Sequence, residues 1–312
     1  MQPAIETILR ARGIFGKLNG SCSTILEEKK ERPVKRFIAI LSLFVLWPLS
    51  ASRAQVLAPS SAGVALGHLN TNVRDVEATK KFWILLGGKP IKIDGIDVMK
   101  FPGVLVFMRK GEVSGGSVGT PLDHVGFWVP NGLEVVGKLK AAGVKASPAF
   151  GTRRPGYRGY SWGDVYSPDD LMVEIMEDKD LARPIESDHI HLFGSNGVPM
   201  TEIQAWYHTV LDARLILDPV PNAGDPIVAA LIGDEEIKFS ISPDPLVPTK
   251  GRALERIGFE VKNLEQFCEK LQASGVKFDE PYSKSRHASF ASAELTDPWG
   301  TPIELTEGLT RY

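Results

Sequence analysis

DHVGFWVPNGLEVVGKLKAAGVK, at residues 123–145, recurs without a gap as ERIGFEVKNLEQFCEKLQASGVK at residues 255–277. Ten positions of the two stretches are identical. Downstream, SPDDLMVE (167–174) matches DPWGTPIE (297–304) in residue type, at an offset of 130. A gapless repeat of this length indicates that the two halves of the chain share a fold. The identical pairs include Gly126 and Gly258, Phe127 and Phe259, Asn131 and Asn263, and Gly143 and Gly275.

Each half divides again into two looser units. A unit has a β-type run, an amphipathic helix that ends near glycine, and three further β-type runs, so it reads as βαβββ. We therefore predict an α+β protein of four such modules, with concave mixed sheets. The predicted elements of the first two modules are strand 64–73, helix 75–86, strands 89–93, 97–101 and 104–109, then strand 123–129, helix 133–142, and strands near 144–148, 159–166 and 171–176.

The remaining modules follow the same plan, with a strand at 189–193 and a helix at about 200–211. Charged residues and a proline interrupt the pattern at 179–186, where we place a domain boundary. The sequence thus predicts a first domain at 60–180 and a second domain at 187–308.

An apolar run of 13 residues, at 37–49, follows the basic segment 29–36. The run is too short to span a bilayer and resembles a secretory signal, with cleavage expected after Ala54. We therefore expect residues 1–54 to be a leader and the protein to be secreted or periplasmic. An uncleaved leader would be the one route to a membrane.

Composition limits the class of ligand. The formal net charge is -2 and the body of the chain carries no long basic run, so nucleic acid is not an expected partner. A small molecule is expected instead.

A group of candidate metal ligands lies on predicted strands. His68 shares a strand face with Asn70, His124 holds the equivalent place in the second module, and Glu174 lies in that module's last strand. Two imidazoles and one carboxylate from separate strands form a 2-His-1-carboxylate arrangement, which binds Fe(II), Mn(II) or Zn(II) and leaves positions open. We predict one divalent metal at this site.

The modules and their motifs resemble the vicinal oxygen chelate superfamily, which holds glyoxalases, extradiol dioxygenases, epimerases and bleomycin-resistance proteins. The resemblance covers about residues 64–308, as two fused domains. It implies that His68, His124 and Glu174 are the metal ligands in the first domain. The motifs that carry it are GHLNTNV (67–73), KKFWILLGG (80–88), DHVGFWV (123–129), SPDDLMVEI (167–175) and DHIHLF (188–193).

The chain departs from the family pattern in two places. Glyoxalase I uses a fourth, carboxylate ligand in the last strand of its first module, where this chain offers Phe107 or Met108. In the second domain Arg256 stands where His124 stands in the first, so we predict a degenerate site. That site would contain His189, His191, Arg256 and Glu304, with Arg256 paired to Glu304, because a guanidinium does not ligate metals.

Residues expected to face the substrate are Arg158, Trp162 and Asn70, and Tyr160 is the candidate catalytic side chain. His287 is expected at the surface, in a polar loop. The resemblance implies a metal-dependent lyase, isomerase or dioxygenase that chelates neighbouring oxygens of a small molecule. The alternative is a non-catalytic binding protein of the bleomycin-resistance type, and a homodimer is left open.

Overall fold

A computed structural model of the protein describes residues 59–148, 162–218 and 227–312. The predicted leader, residues 1–54, lies outside these ranges, and its export function stays a prediction. Within the described ranges, no helix has both the length and the apolar character needed to cross a membrane.

Four modules follow one another along the chain, as the repeat predicts. The first comprises β1 (Val64–Val73), α1 (Val76–Leu85), β2 (Lys89–Ile93), β3 (Ile96–Phe101) and β4 (Val104–Lys110). The second comprises β5 (Leu122–Val129), α2 (Gly132–Ala141), β6 (Trp162–Tyr166) and β7 (Met172–Glu177). The third comprises β8 (Glu186–Gly194), α3 (Met200–Leu211), β9 (Arg214–Asp218), β10 (Ile227–Ile232) and β11 (Glu235–Ile241). The fourth comprises β12 (Leu254–Val261), α4 (Leu264–Ala273), β13 (Glu280–Ser283), β14 (Ala291–Thr296) and β15 (Pro302–Glu307).

Local chemistry explains where the helices begin and end. The carboxylate of Asp75 accepts hydrogen bonds from the first backbone amides of α1, and the Asn131 side chain does the same for α2. After α2 and α4 the chain turns through Gly143 and Gly275, both with positive φ, a conformation that glycine adopts at little cost. One predicted strand, 144–148, is wrong, because a single bridge from Ala146 to Val165 is all that forms there.

The two sheets do not follow the two halves of the sequence. The eight-stranded sheet, β13-β14-β15-β12-β1-β4-β3-β2, combines the first and fourth modules. The seven-stranded sheet, β6-β7-β5-β8-β11-β10-β9, combines the second and third. The α+β class and the two mixed sheets are as predicted, but each sheet draws on both halves. The bounds 60–180 and 187–308 stay a prediction about sequence units.

Apolar side chains from both sheets form one continuous core. Trp83 of α1 and Phe101 of β3 contact Phe127 of β5 at ring-centroid distances of 6.3 and 5.1 Å. On β5 and β8 the residues that alternate with the core positions face away from this core, and the histidines described next are among them.

Candidate metal centre

Gly126, on β5, is the point around which a polar cluster forms. It lies opposite His189 of β8 on one side and opposite Glu174 of β7 on the other. Strands two apart in a sheet are about 10 Å from each other, which is too far for most side chains to touch unless the residue between them is small. Because Gly126 has no side chain, the His189 ring lies over it and reaches the carboxylate.

The resulting contacts converge on one oxygen of Glu174. Nε2 of His189 lies 3.2 Å from Oε2 of Glu174, and Nε2 of His124 lies 3.7 Å from the same oxygen. His189 is fully buried, whereas the Glu174 side chain keeps 19% of its surface exposed. The cluster is therefore closed behind the histidines and reachable beside the carboxylate. We call His124, Glu174 and His189 the first centre.

An aspartate precedes each of these two histidines and orients its ring. Nδ1 of His124 lies 2.7 Å from Oδ1 of Asp123, and Nδ1 of His189 lies 2.6 Å from Oδ2 of Asp188. A carboxylate on one ring nitrogen directs the other nitrogen, Nε2, toward the centre, which is the usual outer arrangement of metal-binding histidines. The repeated Asp-His dipeptide is the sequence signal that could have linked these two positions.

His191 adjoins the first centre. Its Nδ1 lies 3.2 Å from Nε2 of His124, and its Nε2 lies 2.8 Å from Oγ of Ser240 on β11. Candidate ligand atoms of His124, His189 and His191 all lie within 4.8 Å of one another. The nitrogen-rich cluster thus includes two histidines, His189 and His191, that the sequence assigned to a different site.

Burial and charge shift the protonation of these groups in opposite directions. Burial lowers the pKa of His124, but hydrogen bonds to Asp123 and Glu174 outweigh it and raise that pKa to about 9. Burial raises the pKa of Glu174, yet the two facing histidines hold it well below its usual value. Burial and then the charge of His124 hold the pKa of His191 well below its usual value.

The side chains of the first centre fit a divalent metal ion. Two imidazole nitrogens and a carboxylate oxygen are the donor set preferred by Zn(II), Fe(II) and Mn(II). Nε2 of His189 is buried and, although Oε2 of Glu174 lies 3.2 Å away, it forms no hydrogen bond of normal geometry with the described residues. A buried nitrogen in this state is costly unless something binds it, and a metal ion would do so.

The structure does not bring His68 to His124 and Glu174. His68 lies on β1, which pairs with β12 rather than with β5, so its Nε2 lies 3.0 Å from Oε2 of Glu304 in the other sheet. Asn70 lies there as well and donates to the same oxygen at 2.7 Å. The predicted grouping of His68 with His124 and Glu174 is therefore wrong, and the role of Asn70 toward a substrate stays a prediction. Both residues belong to the eight-stranded sheet.

The predicted degenerate site is also divided between the sheets. His189 and His191 lie in the seven-stranded sheet, and Arg256 and Glu304 lie in the other. Arg256 does not form the predicted ion pair with Glu304. Nη1 of Arg256 instead lies 2.5 Å from Oε1 of Glu294. Glu294 lies on β14, opposite Glu304 of β15, and it is the more exposed and therefore less costly partner.

The position of the fourth glyoxalase I ligand changes with the sheet pairing. Phe107 pairs with Asn70, beside His68, so it does not face the first centre. The equivalent residue in the seven-stranded sheet is Lys238, which pairs with His191. A lysine in place of a carboxylate gives the first centre a ligand set unlike that of glyoxalase I.

Three side chains that were predicted to face the substrate or to act in catalysis are not among those that the structure describes. Arg158 and Tyr160 lie outside the described residues, and so does the side chain of Trp162, whose backbone begins β6. Their predicted roles stay predictions.

Residues 189–305 match the profile of the Glyoxalase/Bleomycin resistance protein/Dioxygenase superfamily. No curated protein matches the chain by sequence. Among solved structures, glyoxalase I from Zea mays superposes with a TM-score of 0.63 at 16% identity, over 80% of this chain and 94% of that one. A presumed dioxygenase from Bacillus subtilis superposes with a TM-score of 0.59 at 14% identity, over 83% of this chain and 86% of that one.

At these identities the structural likeness shows the fold alone, and it extends over both sheets. The profile match adds sequence evidence in the third and fourth modules. Residues 189–305 thus belong to the glyoxalase, bleomycin resistance protein and dioxygenase superfamily, and the described chain as a whole has the two-sheet fold of that group.

Proposed function

We propose that the chain is a metal-dependent enzyme of this superfamily, with one divalent metal held by His124, His189 and Glu174. The observation that carries the proposal is the convergence of two imidazole Nε2 atoms on one carboxylate oxygen, each ring oriented by its own aspartate. This set of side chains replaces the set proposed from sequence, in which His68 stood in the place of His189.

When bound, a metal ion at such a centre supplies Lewis-acid chemistry, or redox chemistry if it is iron, toward a substrate with two neighbouring oxygens. The wall formed by His189 and His191, which are 0% and 9% exposed, excludes water from behind the site. Substrate would therefore enter beside Glu174. Whether the reaction is that of a lyase, an isomerase or a dioxygenase depends on the substrate.

His191 is the side chain best placed to move a proton. In the tautomer whose Nε2–H donates to Ser240, Nδ1 keeps a lone pair that faces Nε2 of His124 in the first centre. General base catalysis requires an acceptor within hydrogen-bond reach of the reacting atoms. We therefore propose that Nδ1 of His191 accepts the proton, a role that the sequence had suggested for Tyr160.

Glu174→Gln tests the metal site. We expect the variant to lose bound metal and at least about a thousandfold in kcat/KM, because a neutral amide is a poor replacement for the carboxylate ligand. Glu177→Gln is the matched control. It makes the same change on the same strand, but Glu177 accepts a hydrogen bond from the start of α2 at Gly132, and the variant should keep both metal and activity.

Metal analysis of the full chain, purified without chelator, should be combined with oxygen uptake on a panel of catechols and product detection by NMR on 2-oxo-aldehydes. Uptake would identify a dioxygenase, and conversion without uptake an isomerase or lyase. A protein that holds no metal but binds members of the panel would overturn the proposal in favour of a sequestering, non-catalytic protein.

A further inference from the structure

A lysine and a glutamate of β11 lie beside the first centre, in the seven-stranded sheet. Glu236 pairs with His189 across the ladder between β8 and β11, and Lys238 pairs with His191. Paired residues of neighbouring strands point to the same side of a sheet, so both side chains face the same way as the histidines. The Lys238 side chain is 5% exposed and the Glu236 side chain 16%. Because burial of charged groups is costly, a gain in stability does not by itself account for this pair.

The ammonium group of Lys238 lies between two carboxylates. Its Nζ is 3.7 Å from Oε2 of Glu236 and 3.9 Å from Oδ2 of Asp188. The same Oδ2 atom of Asp188 lies 2.6 Å from Nδ1 of His189. A series of contacts thus runs from Glu236 through Lys238 and Asp188 to a proposed metal ligand. We call Glu236, Lys238 and Asp188 the charged trio.

Asp188 lies at an irregularity of β8. His189 pairs with Gly126 of β5. The next pair along the ladder is Ser187 with Phe127, so Asp188 is an extra residue without a partner on β5. Such a bulge directs a side chain away from the regular alternation of the strand, and here it places the carboxylate beside the His189 ring. Since the ladder to β5 does not fix Asp188, contacts of its side chain have to do so.

Asp123, the aspartate that precedes His124 on β5, is held in a different way. Its Oδ1 contacts Nδ1 of His124, while its Oδ2 accepts a hydrogen bond from the backbone amide of Gly119 at 2.8 Å. The main chain therefore fixes the orienting carboxylate of His124. At Asp188 the corresponding contact comes from the side chain of Lys238.

The eight-stranded sheet has uncharged residues at the places of the charged trio. Gly67, rather than an aspartate, precedes His68. On β4 the residues that pair with His68 and Asn70 are Leu105 and Phe107, and both are buried in an apolar cluster. The three charged side chains therefore occur together in the sheet that contains the first centre, and all three places are uncharged in the other sheet.

We propose that Lys238 is a positioning residue of the first centre. It holds the Asp188 carboxylate against Nδ1 of His189 and thereby directs Nε2 of that ring at the metal ion, while Glu236 holds the ammonium group from the other side. This role rests on the proposed function, since His189 is one of the proposed ligands. Loss of an outer partner of a metal ligand costs roughly 10- to 100-fold in affinity, and Lys238 acts one contact further out. Its removal should therefore cost about tenfold, at the lower end of this range.

A double-mutant cycle on cobalt(II) affinity tests this role. Calorimetry of the full, metal-free chain should give an affinity about tenfold lower for Lys238→Met, and Lys238→Arg should recover most of the loss because it restores the positive charge. In an Asp188→Asn background, Lys238→Met should cost less than about twofold more, because residues of one network are not additive. Lys138→Met is the matched control, since it removes an exposed lysine of α2 that pairs with Glu134, and it should keep full affinity.

Proton NMR of the metal-free chain provides a readout that needs no metal. The Nδ1 proton of a buried imidazole that donates to a carboxylate gives a resonance far downfield. His189→Gln identifies the resonance of His189, and the resonance of His124, whose aspartate is held by the main chain, serves as the internal reference. Lys238→Met should shift or broaden the His189 resonance and leave the His124 resonance in place.

The two readouts separate this role from the proposed function. If wild type binds no cobalt(II) but Lys238→Met changes the His189 resonance alone, the proposed metal site fails and the positioning of the ring by Lys238 stands. If wild type binds cobalt(II), both the affinity and the resonance must change, and a change in only one or in neither overturns the role of Lys238. A full tenfold loss in the Asp188→Asn background overturns it as well.

Thermal unfolding of each metal-free variant establishes that the chain is folded. Should Lys238→Met unfold because it leaves two carboxylates without their cation, Lys238→Met combined with Glu236→Gln replaces it in both measurements. The combined variant removes both charges of the pair but still leaves Asp188 without the ammonium group. We expect it to lose cobalt(II) affinity and to change the His189 resonance, and a folded variant with neither effect overturns the role.

Discussion

The first centre and a cluster in the eight-stranded sheet share one arrangement of strands. We call His68, Glu304 and His287 the Glu304 cluster. In each, a histidine on the first strand of one module crosses a glycine to meet a glutamate on the last strand of another. They differ in the second imidazole, which comes from the strand residue His124 in the first centre and from the loop residue His287 in the Glu304 cluster. They also differ before the crossing histidine, where Asp188 corresponds to Gly67.

The comparison distinguishes the two side chains that the repeated strand pairing brings together from the further side chains that each cluster adds. The strand pairing alone, the framework of both clusters, brings one imidazole and one carboxylate together, so every pair of modules built in this way starts with these two side chains. The second imidazole and the groups that orient the rings are local additions. A change in the framework should therefore affect either cluster, whereas a change in an addition should affect one.

Gly126→Ala should have the largest effect of the changes that test the framework. A Cβ at this position would lie closer than 3.0 Å to the ring of His189, which is fully buried and cannot move away without displacing its neighbours. We expect the ring to be pushed off Glu174 and the affinity of the first centre for cobalt(II) to fall by at least about 100-fold, since even the loss of an outer contact of a ligand costs 10- to 100-fold.

Gly258→Ala is the matched change in the other sheet. Its Cβ would meet the His68 ring at similarly close range, so that ring should move away from Glu304 while the first centre keeps its affinity for cobalt(II). Calorimetry of both variants measures that affinity. If Gly126→Ala left it unchanged, the role assigned to the glycine crossing would be wrong.

Asp188→Asn is a smaller change, directed at the group that orients the ring of His189. The asparagine can still contact Nδ1 of His189 but supplies no charge, so the ring loses the partner that makes Nε2 a stronger ligand. Affinity of the first centre for cobalt(II) should fall roughly 10- to 100-fold. Thermal unfolding of the metal-free variant checks that it is folded, and a folded variant with full affinity would contradict the role given to Asp188.

The two glycines and the Asp-His dipeptides also show how much of the fold and the site the sequence could predict. The gapless repeat predicted the four modules and the class of fold, because helix and strand periods are local properties. The pairing of modules is not local. By sequence pattern β1 could pair with β5 or with β12, since the two strands repeat one another. The pairing decides whether His68 faces Glu174 or Glu304. The repeat itself makes the two choices look alike.

His287 could not have been found from the strand pattern either. It lies in a loop, and loop conformation depends on particular contacts, here the one from Ser289 to Asp94. In contrast, Gly126 and Gly258 were visible as identical positions of the repeat. A glycine in the middle of a strand marks a place where another group approaches closely, and in both sheets that group is the crossing histidine.

The smallest expected effect, about tenfold per pH unit, is a pH dependence of metal binding at the first centre. Because the pKa of His124 is raised to about 9 in the metal-free protein, its ring carries a proton near neutral pH, and a metal ion must displace that proton to reach Nε2. Glu174, whose pKa is held well below its usual value, has none to lose. Affinity of the first centre for cobalt(II) should therefore rise about tenfold per pH unit from pH 7 to 9 and then level off.

The stability of the metal-free chain should change in the opposite direction. A histidine whose pKa is raised on folding stabilises the folded state below its unfolded value of about 6.5, and this stabilisation is lost as the pH rises through about 9. Metal-free protein should thus melt at lower temperature across this window while the metal-loaded protein gains relative to it. His124→Gln should lose this pH dependence, because a neutral amide has no proton to release. A profile that His124→Gln left unchanged would mean that another group releases the proton.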